Sequence, residues 1–90
     1  MRLTFDPAKN ARNIRERGLP FELVADIEWT SAVFQEDTRK DYGERRIRVL
    51  GFIGSRLHAA VITYRLDVVR VISLRKANRK EVLLYGQTTG

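Results

Sequence analysis

Apolar residues change their spacing midway along this 90-residue chain, from a helical period to strict alternation. Leu3 to Phe5 make a short apolar start that reads as an edge strand. Asp6-Pro7 then opens a helix, with Asp accepting from the first free amides and Pro tolerated at the first helical position. The spacing predicts that helix to about Arg17, with Gly18 as its left-handed stop. Its apolar positions, Ala8, Ala11 and Ile14, are sparse, so one side lies in solvent or on a partner. Leu19-Pro20 restarts the chain. Phe21, Val24, Ala25 and Glu28 then share one face, with Leu23 and Ile27 on its flank, which predicts a second amphipathic helix ending near Trp29. Residues 30–44 show no clear period. There Val33 and Phe34 are expected to dock on the core, and Glu36 to Asp41 to form a charged loop.

From Arg46 the pattern is that of strands. Ile47, Val49, Gly51 and Ile53 fall on one face, and Arg46, Arg48, Leu50 and Phe52 on the other. Gly54-Ser55 supplies a tight II′ turn, Leu57 to Tyr64 runs back, and Arg65-Leu66-Asp67 makes a second reversal. Val68 to Leu74, rich in β-branched residues, completes a three-stranded antiparallel meander. Asn78-Arg79-Lys80-Glu81 reads as a capping box opening a last helix through Tyr85, with Gly86 closing it. The order is β-α-α-β-β-β-α, with helices stacked on one face of a small antiparallel sheet: an α+β domain over residues 1–86 and a flexible tail over 87–90. Its expected core includes Phe21, Trp29, Ile47, Val49, Val61, Ile62, Val71 and Ile72, which is modest for a chain of this size.

Composition narrows the chemistry. There is no cysteine and a single histidine, His58, which excludes disulfides, thiolate sites and zinc clusters. No run approaches a membrane span and no secretory h-region opens the chain, so the expected compartment is the cytoplasm. Walker, GxGxxG, paired-carboxylate and nucleophile-elbow motifs are absent, and no cofactor is expected. The net charge is +6, and it is segregated: residues 1–44 carry −2 and residues 45–90 carry +8. Thirteen of the 17 cations are arginine, whose planar fork suits phosphate, so the basic half points to a polyanionic partner.

The meander places Arg45, Arg46 and Arg65 near one end of the sheet, and Arg75-Lys76 towards the other. Arg79 and Lys80 begin the last helix, which can fold back across the sheet. Such a patch suits RNA, which carries its own nucleophile in the 2′-OH. Strand cleavage then needs alignment, a base, and positive charge facing the transition state. Candidate bases are Glu44, His58 and Tyr64. Each has a plainer reading: Glu44 as a salt-bridge partner of its neighbouring arginines, His58 as a packed or surface residue of a strand, Tyr64 as a residue at the core's edge. Lys9 and Arg12, one turn apart on the first helix, either extend the patch or are solvated. The leading reading is an RNA endonuclease: Arg45, Arg46, Arg65, Arg75, Lys76 and Arg79 hold the backbone and a subset of them stabilises the transition state. Glu44 is the base, Lys9 is a general acid or phosphate contact, and Arg75 is counted with these two as catalytic. The alternatives are a non-catalytic module that binds RNA or ribosomes, and an interaction protein that tightens a partner's grip on DNA.

Phe5-Asp6-Pro7-x-Lys9-x-x-x-Asn13-Ile14-x-x-x-Gly18, followed by Phe21-Glu22, resembles the opening of the BrnT toxin family. Asp37-Thr38-Arg39, Asp41-Tyr42-Gly43-Glu44-Arg45, Ile72-Ser73-x-Arg75-Lys76-Ala77 and Arg79-x-Glu81 ending at Tyr85 continue the match in order. The resemblance implies a RelE-like fold and a metal-independent ribonuclease that halts translation. It further implies neutralisation by a small antitoxin of the BrnA kind, whose ribbon-helix-helix part binds the operon's promoter. The chain departs from the family where Glu16-Arg17-Gly18 replaces Lys-His-Gly, and where Pro20 replaces a serine. A degenerate toxin that binds its antitoxin yet cleaves poorly is the alternative these departures raise.

Overall fold

Asp6 and Pro7 start the first helix as their chemistry dictates. In the computed structural model, which describes residues 1–89, Asp6 Oδ1 accepts from the Ala8 N–H at 2.9 Å. Strand β1 (Arg2–Phe5) leads into helix α1 (Pro7–Arg17), and Gly18 ends that helix at φ +70°. No residue of α1 is buried; two asparagines tether it instead. Asn10 Oδ1 accepts from the Phe21 N–H at 2.8 Å, while Asn13 Nδ2 donates to the carbonyls of Leu19 and Leu74 at 2.8 and 3.0 Å.

The second helix is not α-helical. Phe21–Asp26 forms a 3₁₀ helix, and Trp29–Ser31 a further 3₁₀ turn. With three residues per turn, Phe21, Val24 and Ile27 stack on one side, and all three are buried. A period of 3.0 and one of 3.6 share the first two of these positions, so the α reading placed Ile27 on the flank and Glu28 on the face; Glu28 is exposed.

Beyond it lies a strand that the absence of periodicity concealed, β2 (Val33–Glu36), followed by the expected meander of β3 (Ile47–Ile53), β4 (Arg56–Arg65) and β5 (Val68–Lys76). Gly54-Ser55 and Leu66-Asp67 are the two-residue turns between them. The sheet has five strands in the order β1-β5-β4-β3-β2. It is mixed rather than purely antiparallel, because β1 lies parallel to β5, pairing Arg2 with Val68 through Phe5 with Val71. Helix α2 (Arg79–Thr89) runs through Gly86 instead of stopping at Tyr85. Gln87 to Thr89 of the expected tail are therefore helical, and Gly90 lies outside the described residues.

The helices do not share one face. On the first face, Val49, Ala60, Ile62, Val71 and Leu74 pack against Leu19, Phe21, Val24 and Ile27, and Phe5 meets Phe21 edge-on at 5.7 Å. On the second, Leu50, Phe52, Leu57 and Ala59 pack with Ala77 and with Tyr85 of α2, whose hydroxyl donates to the Ser31 carbonyl at 3.0 Å. Phe21, Val49, Ile62 and Val71 of the expected core are buried, whereas Trp29, Ile47, Val61 and Ile72 are half-buried. Phe34 is 54% exposed and stacks on Trp29 instead of entering the core. Among the described residues no helix is long and apolar enough to cross a membrane.

Candidate functional site

Helix α2 covers only one end of the second sheet face. The remainder is open and cationic, and the reason lies in the strand register. In a regular strand Arg70 and Arg75, five residues apart, would point to opposite faces. Between Val61 and Ile62 the pairing of β4 with β5 shifts: Val61 faces Ser73, but Ile62 faces Val71, leaving Ile72 as the extra residue of a β-bulge. Arg70 thus opposes Thr63 and Arg75 opposes Ala59, positions of like parity on β4, so both arginines reach the same face. Arg48 of β3, opposite Val61, joins them there.

Two of the depressions on this face hold most of its arginines. The smaller, of about 90 Å³, is lined by Arg39, Arg48, Arg75, Ser73, Val61 and Glu81, among others. Arg75 donates from Nη1 and Nη2 to the two oxygens of Glu81 at 2.7 and 2.8 Å, and Arg48 Nη2 stands 3.7 Å from the same carboxylate. Glu81 also completes the expected capping box, accepting from the Asn78 N–H at 2.9 Å while its own N–H donates to Asn78 Oδ1 at 2.9 Å. The Arg75 hydrogen bonds, with the Asn78 amide and the Arg48 charge adding to them, hold this buried carboxyl below its usual range. One carboxylate therefore starts the helix and orients the arginine.

Asp37 plays a similar part for Arg39, and it is a buried residue where a solvated loop was expected. It accepts from Arg39 Nε and Nη2, both at 2.8 Å, from the Arg39 N–H at 3.3 Å and from the Tyr42 hydroxyl at 3.4 Å. The Arg39 side-chain hydrogen bonds are the main reason its pKa falls from 3.8 to about 2, against the opposing cost of burial. Because the folded pKa is the lower one, the stability Asp37 contributes is present above its unfolded pKa and is lost as pH falls through about 2. Arg39 is largely solvated, which reduces the contribution to about 1 kcal/mol. Thermal midpoints of the wild type and Asp37→Asn should therefore differ at about pH 5 and converge towards pH 2; a gap that persists unchanged in acid would contradict this.

The larger depression, about 500 Å³, begins two positions along β4 from the first, at Thr63, and is lined by Thr4, Glu44, Thr63, Arg65, Leu66, Val68 and Arg70. Here Glu44 and Arg65 line one depression. Glu44 is exposed, and among the described residues it pairs with Arg46 Nη2 at 3.4 Å. Across the face as a whole, five guanidiniums (Arg39, Arg48, Arg65, Arg70 and Arg75) stand against the carboxylates of Asp37, Glu44 and Glu81.

Several expected site residues lie elsewhere. Arg46 is mostly covered, its guanidinium 4.0 Å from the centre of the Tyr42 ring, with Nε buried and unpartnered. Arg45 pairs with Glu36 at 3.1 Å and lines a separate hollow with Ile47 and Tyr64. Lys76, next in register after Arg75, turns away from it and opposes His58. His58 itself is buried, its Nδ1 2.8 Å from the Arg56 carbonyl. Arg79 opens α2 in solvent, and the neighbouring Lys80 lines a hollow with Arg48, Arg75 and Glu81. Lys9 sits on α1, outside both depressions. The three residues expected to be catalytic, Lys9, Glu44 and Arg75, thus line three separate hollows, of which the last two share a face. Arg39, Arg48 and Arg70 were not singled out from the sequence. Alternation marks Arg48 and, through the β4–β5 turn, Arg70; the bulge brings Arg75 to their face.

Among the described residues no group of three or more His, Cys, Asp or Glu side chains lies together. Residues 5–81 match a family model described as a ribonuclease toxin, BrnT, of type II toxin–antitoxin systems. No curated protein matches the chain significantly.

Proposed function

The chain belongs to the BrnT family of ribonuclease toxins from type II toxin–antitoxin systems, and on that premise we propose that it cuts RNA on the open face of its sheet. The observation that carries this reading is the alignment of Arg48, Arg65, Arg70 and Arg75 on one uncovered face beside the accessible carboxylate of Glu44. A single strand lies over the Val61–Thr63 floor, two positions of β4 about 7 Å apart, with its scissile phosphate between the two depressions. Glu44 takes the proton of the 2′-OH. Asp37 and Glu81 are held as carboxylates by arginine forks and serve to orient those arginines. The 2′-oxygen bonds to the adjacent phosphorus, the bond to the 5′-oxygen breaks, and water protonates the leaving oxygen. Arg75 and Arg48 on one side, and Arg70 and Arg65 on the other, face the charge that builds on the phosphoryl oxygens. RNA supplies the nucleophile, so the step as written calls for no metal.

The sheet with helices on both faces is consistent with a RelE-like architecture. The toxin acts in the cytoplasm, halts translation by cutting messenger RNA, and is neutralised by a small ribbon-helix-helix antitoxin of the BrnA kind. Operator DNA is reached only through that antitoxin. The test is transcriptome-wide mapping of RNA ends after brief induction in a bacterium. New fragments with 2′,3′-cyclic phosphate and 5′-hydroxyl ends are expected with the wild type and not with Arg75→Ala. Intact RNA at matched soluble protein, or fragments bearing 5′-phosphates, would overturn the reading.

A further inference from the structure

We propose that the RNA strand leaves the sheet face around the open edge of β5 and lays its flanking phosphates in a groove beside α1. The inference rests on the ribonuclease reading and gives its substrate a second binding segment. β1 pairs with β5 only as far as Val71, while β5 continues to Lys76. From Ile72 onward β5 therefore has β4 on one side and no strand on the other. Helix α1 is fastened along this edge by the hydrogen bond from Asn13 Nδ2 to the Leu74 carbonyl. Between helix and edge lies a groove of about 280 Å³ lined by Lys9, Arg12, Asn13, Glu16, Arg17 and Ser73, among others.

Two observations join this groove to the site. Ser73, an exposed residue with a small side chain, lines both the groove and the Arg75 depression, so one short side chain separates the two. The groove also carries uncompensated positive charge. Arg12 is matched by Glu16 at 2.8 Å, while Lys9 and Arg17 take part in no ion pair among the described residues. Exposed cations without a fixed geometry bind backbone phosphate and read no base. The groove therefore measures strand length and not sequence. Lys9 accordingly acts as a contact to a flanking phosphate, not as the general acid.

The test uses fluorescent 2′-O-methyl RNAs of about 4 and about 12 nucleotides, spanning the usual range of single-strand site sizes. Methylation blocks the nucleophile, so the strands stay intact on the enzyme. The double variant Lys9→Gln/Arg17→Gln should bind the short strand as the wild type does. It should bind the long strand roughly 5- to 10-fold more weakly at low salt. Its log–log salt slope should be shallower by about 1.4, the contribution of two phosphate contacts to a single strand. Wild-type affinity and slope for the long strand in the double variant would overturn the track around β5. So would a wild type that binds both lengths equally. A wild type that binds neither length would instead bring down the ribonuclease reading itself.

Discussion

Arg75→Ala is expected to lower the turnover of RNA cleavage by about 100-fold or more, the usual effect of removing one preorganised donor from a developing oxyanion. It is also expected to lower the melting temperature, because Arg75 is half of the fork on the buried Glu81. Removing one partner of a fully buried pair costs about 3–5 kcal/mol. Here Glu81 keeps the Asn78 amide and the Arg48 charge, so the cost is about 2 kcal/mol, or roughly 10 °C for a chain of this size. The two effects separate in Arg75→Lys, which keeps a cation but not two parallel N–H donors. That variant should recover part of the stability and little of the turnover. Single-turnover rates and thermal midpoints of the three proteins check this. An Arg75→Ala enzyme with the wild-type rate would remove Arg75 from the chemistry.

Gly51→Ala carries the largest expected effect on folding by a small change. A Cβ placed at Gly51 would lie 2.5 Å from Ile27 Cγ2 and 3.4 Å from Ala32 Cβ. Ile27 is buried in the core, and Cγ2 sits on its branched Cβ, where χ1 is stiff. Overpacking of this kind costs about 1–3 kcal/mol, so a melting temperature lower by roughly 10 °C is expected. Ile27→Ala removes the clashing methyl, and Gly51→Ala made in that background should cost almost nothing more. Additive losses in the double-mutant cycle would show that the clash is not the cause.

How much of this could be read from the sequence depended on how local its causes were. The α1 cap, the capping box and the meander with its two turns follow from residues a few positions apart, and all are present. β1 was foreseen as an edge strand, but its partner lies more than 60 positions away, and no local pattern specifies parallel pairing with β5. The placement of α2 on the second face turns on Leu50, Phe52 and Leu57, an apolar patch that the alternation showed as the arginine-bearing side of β3. At the site, the placement of Arg45, Arg46 and Arg65 towards one end of the sheet was legible because the hairpin register fixes that end. That Arg75 shares the face of Arg65 and Arg70 was not, since one bulged residue at Ile72 reverses the parity of everything after it. Asp37 looked like a solvated loop charge because the Arg39 fork and Tyr42 hydroxyl that cover it leave no periodic trace.

The parallel pairing of β1 with β5 also bears on when the open cationic face is assembled. A nascent chain leaves the ribosome from its N-terminus, and β1 has no partner until Val68 to Val71 have emerged. The carboxylate that forks Arg75 comes later still, at position 81. Contacts this distant close late and slowly. Until Glu81 has been made, the fork on Arg75, and with it the open face, is incomplete however much of the chain has already folded.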